Sequence, residues 1–323
     1  MPKLKTGWRP MRVELTTAVL ETDAHAEEIL RLLHHFKQGR HEWSVNPLLT
    51  DTIESFIERN VPKLAPRYLA LMDKAAEQYA YTPPGDAAAV RVSPEDVEDH
   101  VEDLGRSAVV MVENDATDGG FIKAVALVLK DAALLEALDR EWLVIDHGGG
   151  CGDTIRRAKD KHGRFRRLTR VAVLLDSDRV TPDDPPQQEP AIGDLRARGI
   201  KVHVLRLRES ENYIPDKCLR KLPSQQTAPT TANALAQLSK TQRGHYDMKK
   251  GFQKGKVSMP QRPLFGGLSP QLVRDLTGGF GPKTINCLVD HAHLLSEEDF
   301  RSDVGETVPD ELRDLLAMLR EIL

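Results

Sequence analysis

The sequence predicts an α/β protein in which a parallel, Rossmann-like sheet lies between helical N- and C-terminal regions. Three observations carry this reading. Short apolar runs such as Val171-Ala-Val-Leu-Leu end in carboxylates, the pattern of buried parallel strands that deliver side chains to a sheet edge. From Ser107 to Pro215 these runs alternate with stretches of helical spacing, which implies βαβ units with right-handed crossovers. On either side of that block the apolar spacing is helical.

Residues 1–105 read as a helical region. Ile29, Leu32, Leu33 and Phe36 repeat at helical spacing, as do Ile53, Phe56 and Ile57, then Leu69 and Met72. Tyr81-Thr-Pro-Pro-Gly-Asp interrupts the pattern, and Ser93-Pro-Glu-Asp-Val-Glu has the composition of a capped short helix. Residues 106–216 form the α/β domain. Its first strand, Ser107-Ala-Val-Val-Met-Val, ends at Glu113, and a turn with Asp118-Gly119-Gly120 leads into a helix over 121–139. The second strand, Trp142-Leu-Val-Ile-Asp146, runs into His147-Gly148-Gly149-Gly150 and a basic helix. The third ends in Asp176-Ser-Asp178, and a proline-rich loop and a helix over 192–198 separate it from the fourth, Lys201 to Leu207. Residues 217–323 are helical again. After a polar linker from Leu222 to Thr231, helices are expected over 232–248, 270–276 and 309–322, the last with Leu312, Leu315, Leu316 and Leu319 on one stripe.

With 323 residues, 40% hydrophobic and 29% charged, the chain has the composition of an ordinary globular protein with a sizeable core. The net charge of −4 excludes a uniformly basic coat and leaves room for local basic patches. Cys151, Cys218 and Cys287 are widely spaced, with no Cys-x-x-Cys and no histidine at finger spacing, which speaks against a structural zinc and fits reduced thiols in a cytoplasm. The first ten residues lack an apolar export core, and no stretch approaches the roughly 20 apolar residues of a membrane span. A cytoplasmic location without membrane association is the expectation.

Strand ends line the ligand crevice of open α/β sheets, so Glu113, Asp176 and Asp178 are expected on one rim. Three hard oxygen ligands suit Mg²⁺ or Mn²⁺. Glu211 and Asp118 are further candidate ligands; Asp115 competes with Asp118, and Glu209 with Glu211. The plainer reading of Asp115 and Asp118 is a turn or cap residue. Gly149 and Gly150 sit between a strand and a helix, where backbone N–H groups can approach a phosphate, although no Gly-Lys-Ser/Thr follows to make a P-loop. Basic charge falls in two runs, one holding Arg156, Arg157, Arg166 and Arg167, the other from Lys217 to Lys256. These are expected to flank the rim as a nucleic-acid groove, unless the first meets the acidic stretch 95–103 internally. Lys249 and Lys250 are both candidates to stabilise charge on a reacting phosphoryl group, and Lys250 is placed in the catalytic set with Glu113, Asp176, Asp178 and Glu211. His245 is a candidate substrate contact or an ordinary helix-surface residue.

The strand ending in Glu113, the Asp176-x-Asp178 pair and the glycine-rich turn between them resemble the Toprim domain of topoisomerases, primases and nucleases. The sequel Arg208-Glu209-Ser-Glu211-Asn212-Tyr213-Ile-Pro is similar to Toprim nucleases of the overcoming-lysogenization-defect type, including stand-alone Toprim effectors of bacterial anti-phage systems. His245-Tyr-Asp-Met-Lys249-Lys250-Gly-Phe looks like a downstream element of such proteins. The resemblance covers Ser107 to Pro215, the C-terminal part loosely and the first hundred residues hardly at all. It departs after the first strand, where relatives usually have Glu-Gly and this chain has Glu113-Asn114-Asp115. It implies a Mg²⁺- or Mn²⁺-dependent endonuclease acting on DNA or tRNA beside an ATPase partner, and the helical flanks offer surfaces for that partner or for a homodimer. Two readings compete. Asp176-Ser-Asp178 also fits the opening motif of haloacid-dehalogenase-type phosphatases, but no Gly-Asp-x-x-x-Asp follows. The other is a non-catalytic Toprim-like module that binds nucleic acid or a partner, and the intact acidic set argues against it.

Overall fold

The structure, a computed structural model, describes residues 10–81, 89–186, 188–222 and 229–323. The expected proline break, 82–88, and most of the polar linker, 223–228, lie outside the described residues, as do 1–9. The chain is α/β, with two parallel sheets flanked by helices.

The N-terminal region contains a sheet as well as the expected helices. Strands β1 (Arg12–Leu15), β2 (Glu42–Trp43) and β3 (Val90–Val92) pair in parallel in the order β2-β1-β3. Val13, Leu15, Trp43 and Val92 point into a core shared with Ile29, Phe36, Phe56 and Met72 from the helices Ala26–Gln38, Thr50–Asn60 and Ala65–Ala80. Phe36 stacks on Trp43 with ring centroids 5.5 Å apart.

The second sheet carries the acidic strands. β4 (Ala108–Val112), β5 (Leu143–His147), β6 (Val171–Leu175) and β7 (Lys201–Val204) are all parallel, in the order β5-β4-β6-β7, which makes this the Rossmann-like core. Every residue of β4 and β6 is buried, because helices cover both faces. On one face Val109, Met111, Val171, Val173 and Leu175 meet Ile155 and Ala158 of helix Cys151–His162 and Ile192 and Leu195 of helix Glu189–Ala197. On the other, Ala108, Val110, Val112, Ala172 and Leu174 pack with Phe121 and Val125 of helix Gly120–Val128. Leu312, Leu315, Leu316 and Leu319 of helix Val308–Glu321 belong to that same core, so the C-terminal helices cover a sheet face instead of closing on themselves.

Two expected helices are each divided. The first gives way at Lys130, which takes φ +57°, before Asp131 restarts the helix Ala132–Asp139 by accepting the Leu134 N–H. In the second, Pro229–Leu235 is separated from Lys240–His245 by Ser239, which forms a capping box with Gln242.

The three regions are joined at Arg170, a fully buried side chain whose guanidinium donates to the carbonyls of Asp103, Leu104, Arg106, Ile322 and Leu323. The buried Asp103 carboxylate accepts the backbone N–H groups of Arg166, Arg167 and Leu168 beside it.

Candidate metal centre

β4 and β6 are neighbours in register, Met111 opposite Val173, so Glu113 and Asp176 leave the sheet at the same edge. The chain after β7 is held beside the chain after β6. Leu205 N–H donates to the Leu175 carbonyl at 3.0 Å, Asp178 N–H to the Arg208 carbonyl at 2.9 Å, and Ser177 Oγ to the Leu207 carbonyl at 2.8 Å. That zipper carries the short helical turn Ser210–Tyr213 onto the rim, where Ser210 N–H donates to Asp176 Oδ1 at 3.0 Å. Carboxylate oxygens of Asp176, Glu209 and Glu211 consequently lie within 4.8 Å of one another.

Asp118 joins them from a turn of widened helix, Asp115–Gly119. Its carboxylate accepts Asn114 N–H at 2.9 Å and Ser210 Oγ–H at 3.2 Å, whereas Asp115 is exposed. Of the two open alternatives, the structure brings Asp118 to the rim, and it brings both Glu209 and Glu211. Asp178 takes φ +52°, a left-handed turn that Asp tolerates better than most residues, and its charge together with that of Asp118 acts on Glu113.

Burial and mutual repulsion raise the pKa of most of these acids. Glu113 is pushed up to about 7 by burial, then by Asp178 and Asp118. Glu209 rises to about 7 through burial and the charge of Glu211. Asp176 is held well above the carboxylate range by burial and by Asp118, Glu211, Glu209 and Glu113, while burial also raises Asp118 and Glu211. Lys249 Nζ bridges Glu209 Oε2 at 3.1 Å and Glu211 Oε1 at 3.2 Å. Burial works against its charge, and the two glutamates outweigh that and raise its pKa. The rim gathers more acidic side chains than this one ammonium can balance once they ionise, and Glu113 Oε1 is buried without a hydrogen-bond partner. A hard divalent cation fits such a donor set, with Asp176, Glu209 and Glu211 as its holders and Glu113, Asp118 and Asp178 around them.

Several expected contacts are placed differently. Lys250 is exposed, and its backbone N–H donates to Asp247 Oδ1; Lys249 is the lysine on the acids. The two are adjacent in sequence and differ only in which one the turn directs at the glutamates. Gly149 (φ +84°) and Gly150 (φ +138°) make the turn into helix Cys151–His162, but Gly149 N–H is already spent on the Glu113 carbonyl at 3.0 Å. The glycine turn thus steadies the end of β4. Arg156 pairs with Asp153 and Asp160 within its own helix, and Arg157 with Asp146. Arg166 and Arg167 both pair with Asp99 of helix Val97–Gly105, just ahead of β6 and therefore away from its carboxyl end. The first basic run is largely consumed by internal ion pairs. His245 is buried, with Nδ1 on the Thr241 carbonyl at 3.0 Å and Nε2 unpartnered.

Asn212 is a positioning residue that charge and spacing alone did not single out. Its Nδ2 donates to the Arg243 and Tyr246 carbonyls at 2.8 and 2.9 Å, and its Oδ1 accepts Glu209 N–H at 3.1 Å. Met248 N–H donates to Glu209 Oε1 at 3.2 Å, so this buried amide fastens the segment bearing Lys249 to the turn bearing the glutamates. In comparisons with protein-family models, curated proteins and solved structures, nothing matches the chain.

Proposed function

We propose that the chain is a divalent-metal-dependent nuclease that hydrolyses phosphodiester bonds in nucleic acid, as its resemblance to Toprim nucleases implies. The reading rests on one observation: carboxylates from the ends of β4 and β6 and from the turn after β7 gather on one rim, with oxygens of Asp176, Glu209 and Glu211 within 4.8 Å. Bound there, Mg²⁺ or Mn²⁺ supplies neutralisation of the scissile phosphate and a more acidic water. Glu113, beside the holders and with a buried, unpartnered Oε1, is suited to take the proton of the attacking water. As the water oxygen bonds to phosphorus and the bond to the departing sugar oxygen breaks, Lys249 Nζ stabilises the negative charge that builds on the phosphoryl oxygens. Arg179 and the exposed Lys250 stand near this rim in sequence and offer charge to the flanking backbone, whereas Arg208 is already paired with Asp247. The same resemblance makes the chain an anti-phage effector beside an ATPase.

The test incubates purified protein, wild type and Asp176→Asn or Glu211→Gln, with plasmid DNA, single-stranded DNA and total tRNA in Mg²⁺, Mn²⁺ or EDTA. Cleavage of at least one substrate with metal, lost in EDTA and in both variants, is expected, and it names the substrate. Cleavage that persists in EDTA or in both variants refutes the reading. Co-purification of an ATPase from the native host tests the partner.

A further inference from the structure

A second group of potential ligands lies outside the acidic rim. Cys218 belongs to the short helix Asp216–Leu219, and Cys287 and His291 stand one turn apart on helix Thr284–His291. Both cysteines are buried and reduced, and His291 is half-buried. Cys287 Sγ lies 3.8 Å from His291 Nδ1 and 2.8 Å from the Cys218 carbonyl, and the two sulfurs and the ring nitrogen fall within 4.8 Å of one another.

We propose that Cys218, Cys287 and His291 form a binding site for a soft divalent cation of the zinc class, with water as the fourth ligand. Tetrahedral zinc with ordinary bond lengths sets sulfur and nitrogen about 3.6 Å apart and two sulfurs about 3.8 Å apart. Cys287 and His291, four apart on one helix face, already stand at 3.8 Å, and the remaining contraction, at most about 1 Å from the 4.8 Å limit, brings Cys218 of the neighbouring helix toward them. Two thiolates and a neutral imidazole cancel the charge of the ion, which suits a buried position. Binding releases the two thiol protons to solvent, and the imidazole ligates as the neutral tautomer, its remaining proton on Nε2. His291 Nδ1, now 3.0 Å from the Cys287 carbonyl, gives up that hydrogen bond for the metal. Sulfur and imidazole ligands select zinc over magnesium, so this site and the oxygen-lined rim take different ions. A disulfide would leave the imidazole without a role.

The site is joined to the acidic turn through a neighbour. Asp216, two residues before Cys218, pairs with the buried Arg243 at 3.0 Å, and Arg243 donates to the carbonyls of Asn212 and Ile214. An ion held here therefore fastens helix Thr284–His291 to the segment that positions Glu209 and Glu211.

Titration of reduced full-length protein with Co²⁺ tests this independently of nuclease activity. A thiolate-to-cobalt charge-transfer absorption that saturates at one equivalent and is displaced by Zn²⁺ is expected. It should vanish in Cys287→Ser and in His291→Gln, and survive in Glu211→Gln, whose oxygen ligands give no such band. His291→Gln removes a half-buried ring and keeps the assay usable if the cysteine variant fails to fold. Zn²⁺ should also raise the melting temperature of wild type and not of His291→Gln. Absence of the band from folded, reduced wild type overturns the proposal, as does its persistence in Cys287→Ser. So does isolation of the chain with Cys218 and Cys287 joined, detected as a mass lower by two hydrogens.

Discussion

Raising the pH from 5 to 7.5 should loosen the metal-free rim and strengthen its hold on metal. Glu113 and Glu209 each move from an ordinary 4.5 to about 7 on folding. A carboxyl raised in this way keeps its proton longer in the folded chain, so its contribution to stability is complete below 4.5 and is lost as pH climbs through 7. A shift of that size corresponds to about 3.4 kcal/mol for each group, and halving it for partial exposure and shared neighbours leaves about 3 kcal/mol for the pair. Two histidines oppose the trend. Burial lowers His35 to about 4 and His41 well below its usual value, so both fold as neutral rings and lose stability as pH falls below 6.5. The bare melting profile therefore mixes two slopes, and the difference between saturating Mn²⁺ and EDTA isolates the acids. Below pH 7 the ion binds against protons that the rim acids retain, Asp176 and Glu209 among its holders and Glu113 beside them, and each full proton displaced costs about 1.4 kcal/mol per pH unit. Calorimetric melts should show a Mn²⁺-dependent stabilisation that grows by about 3 kcal/mol between pH 5 and 7.5 and then levels off. The logarithm of the apparent affinity should rise with an average slope of about one between pH 5 and 7. A Mn²⁺ effect of equal size at pH 5 and pH 7.5 would refute this electrostatic description of the rim.

Lys249→Met should lower phosphodiester cleavage by roughly 100-fold and also lower the melting temperature, because Glu209 and Glu211 lose their buried counter-charge, whereas Lys250→Met should be near neutral in both; equal losses in a steady-state cleavage assay would refute the assignment. Arg170→Met strips the donor from five backbone carbonyls, most of them buried, and should cost about 3–5 kcal/mol in urea unfolding. At Gly148 a Cβ would collide with the backbone nitrogen of Thr154, so Gly148→Ala should destabilise the fold by at least about 2 kcal/mol and disturb the end of β4 next to Glu113. An unchanged urea midpoint would show that the turn relaxes freely.

β4 and β6 were legible in the sequence because burial on both faces makes every residue apolar, and that made their terminal acids conspicuous. The N-terminal sheet was not legible. Its strands have four, two and three residues, too few for a period of two to emerge from the surrounding helical pattern. Glu209 and Glu211 could not be ordered from spacing because the intervening turn presents both. For Arg166 and Arg167 the sequence left two readings, a groove or an internal pairing with the acidic stretch 95–103, and the structure shows the second, with Asp99 as partner. The Cys218, Cys287 and His291 group was hidden. Its members meet across the C-terminal region, which no local spacing motif could reveal.

The Arg170 anchor also governs when the three regions can be joined during synthesis. Chains emerge from the ribosome N-terminus first. The guanidinium needs carbonyls at 103–106 and at 322–323, and helix Val308–Glu321 completes the apolar cover that helix Gly120–Val128 begins on one sheet face. The anchor that joins the three regions therefore closes only after residues 322–323 have emerged. On the nuclease reading proposed above, that delay keeps the assembled centre away from the messenger still threading through the ribosome.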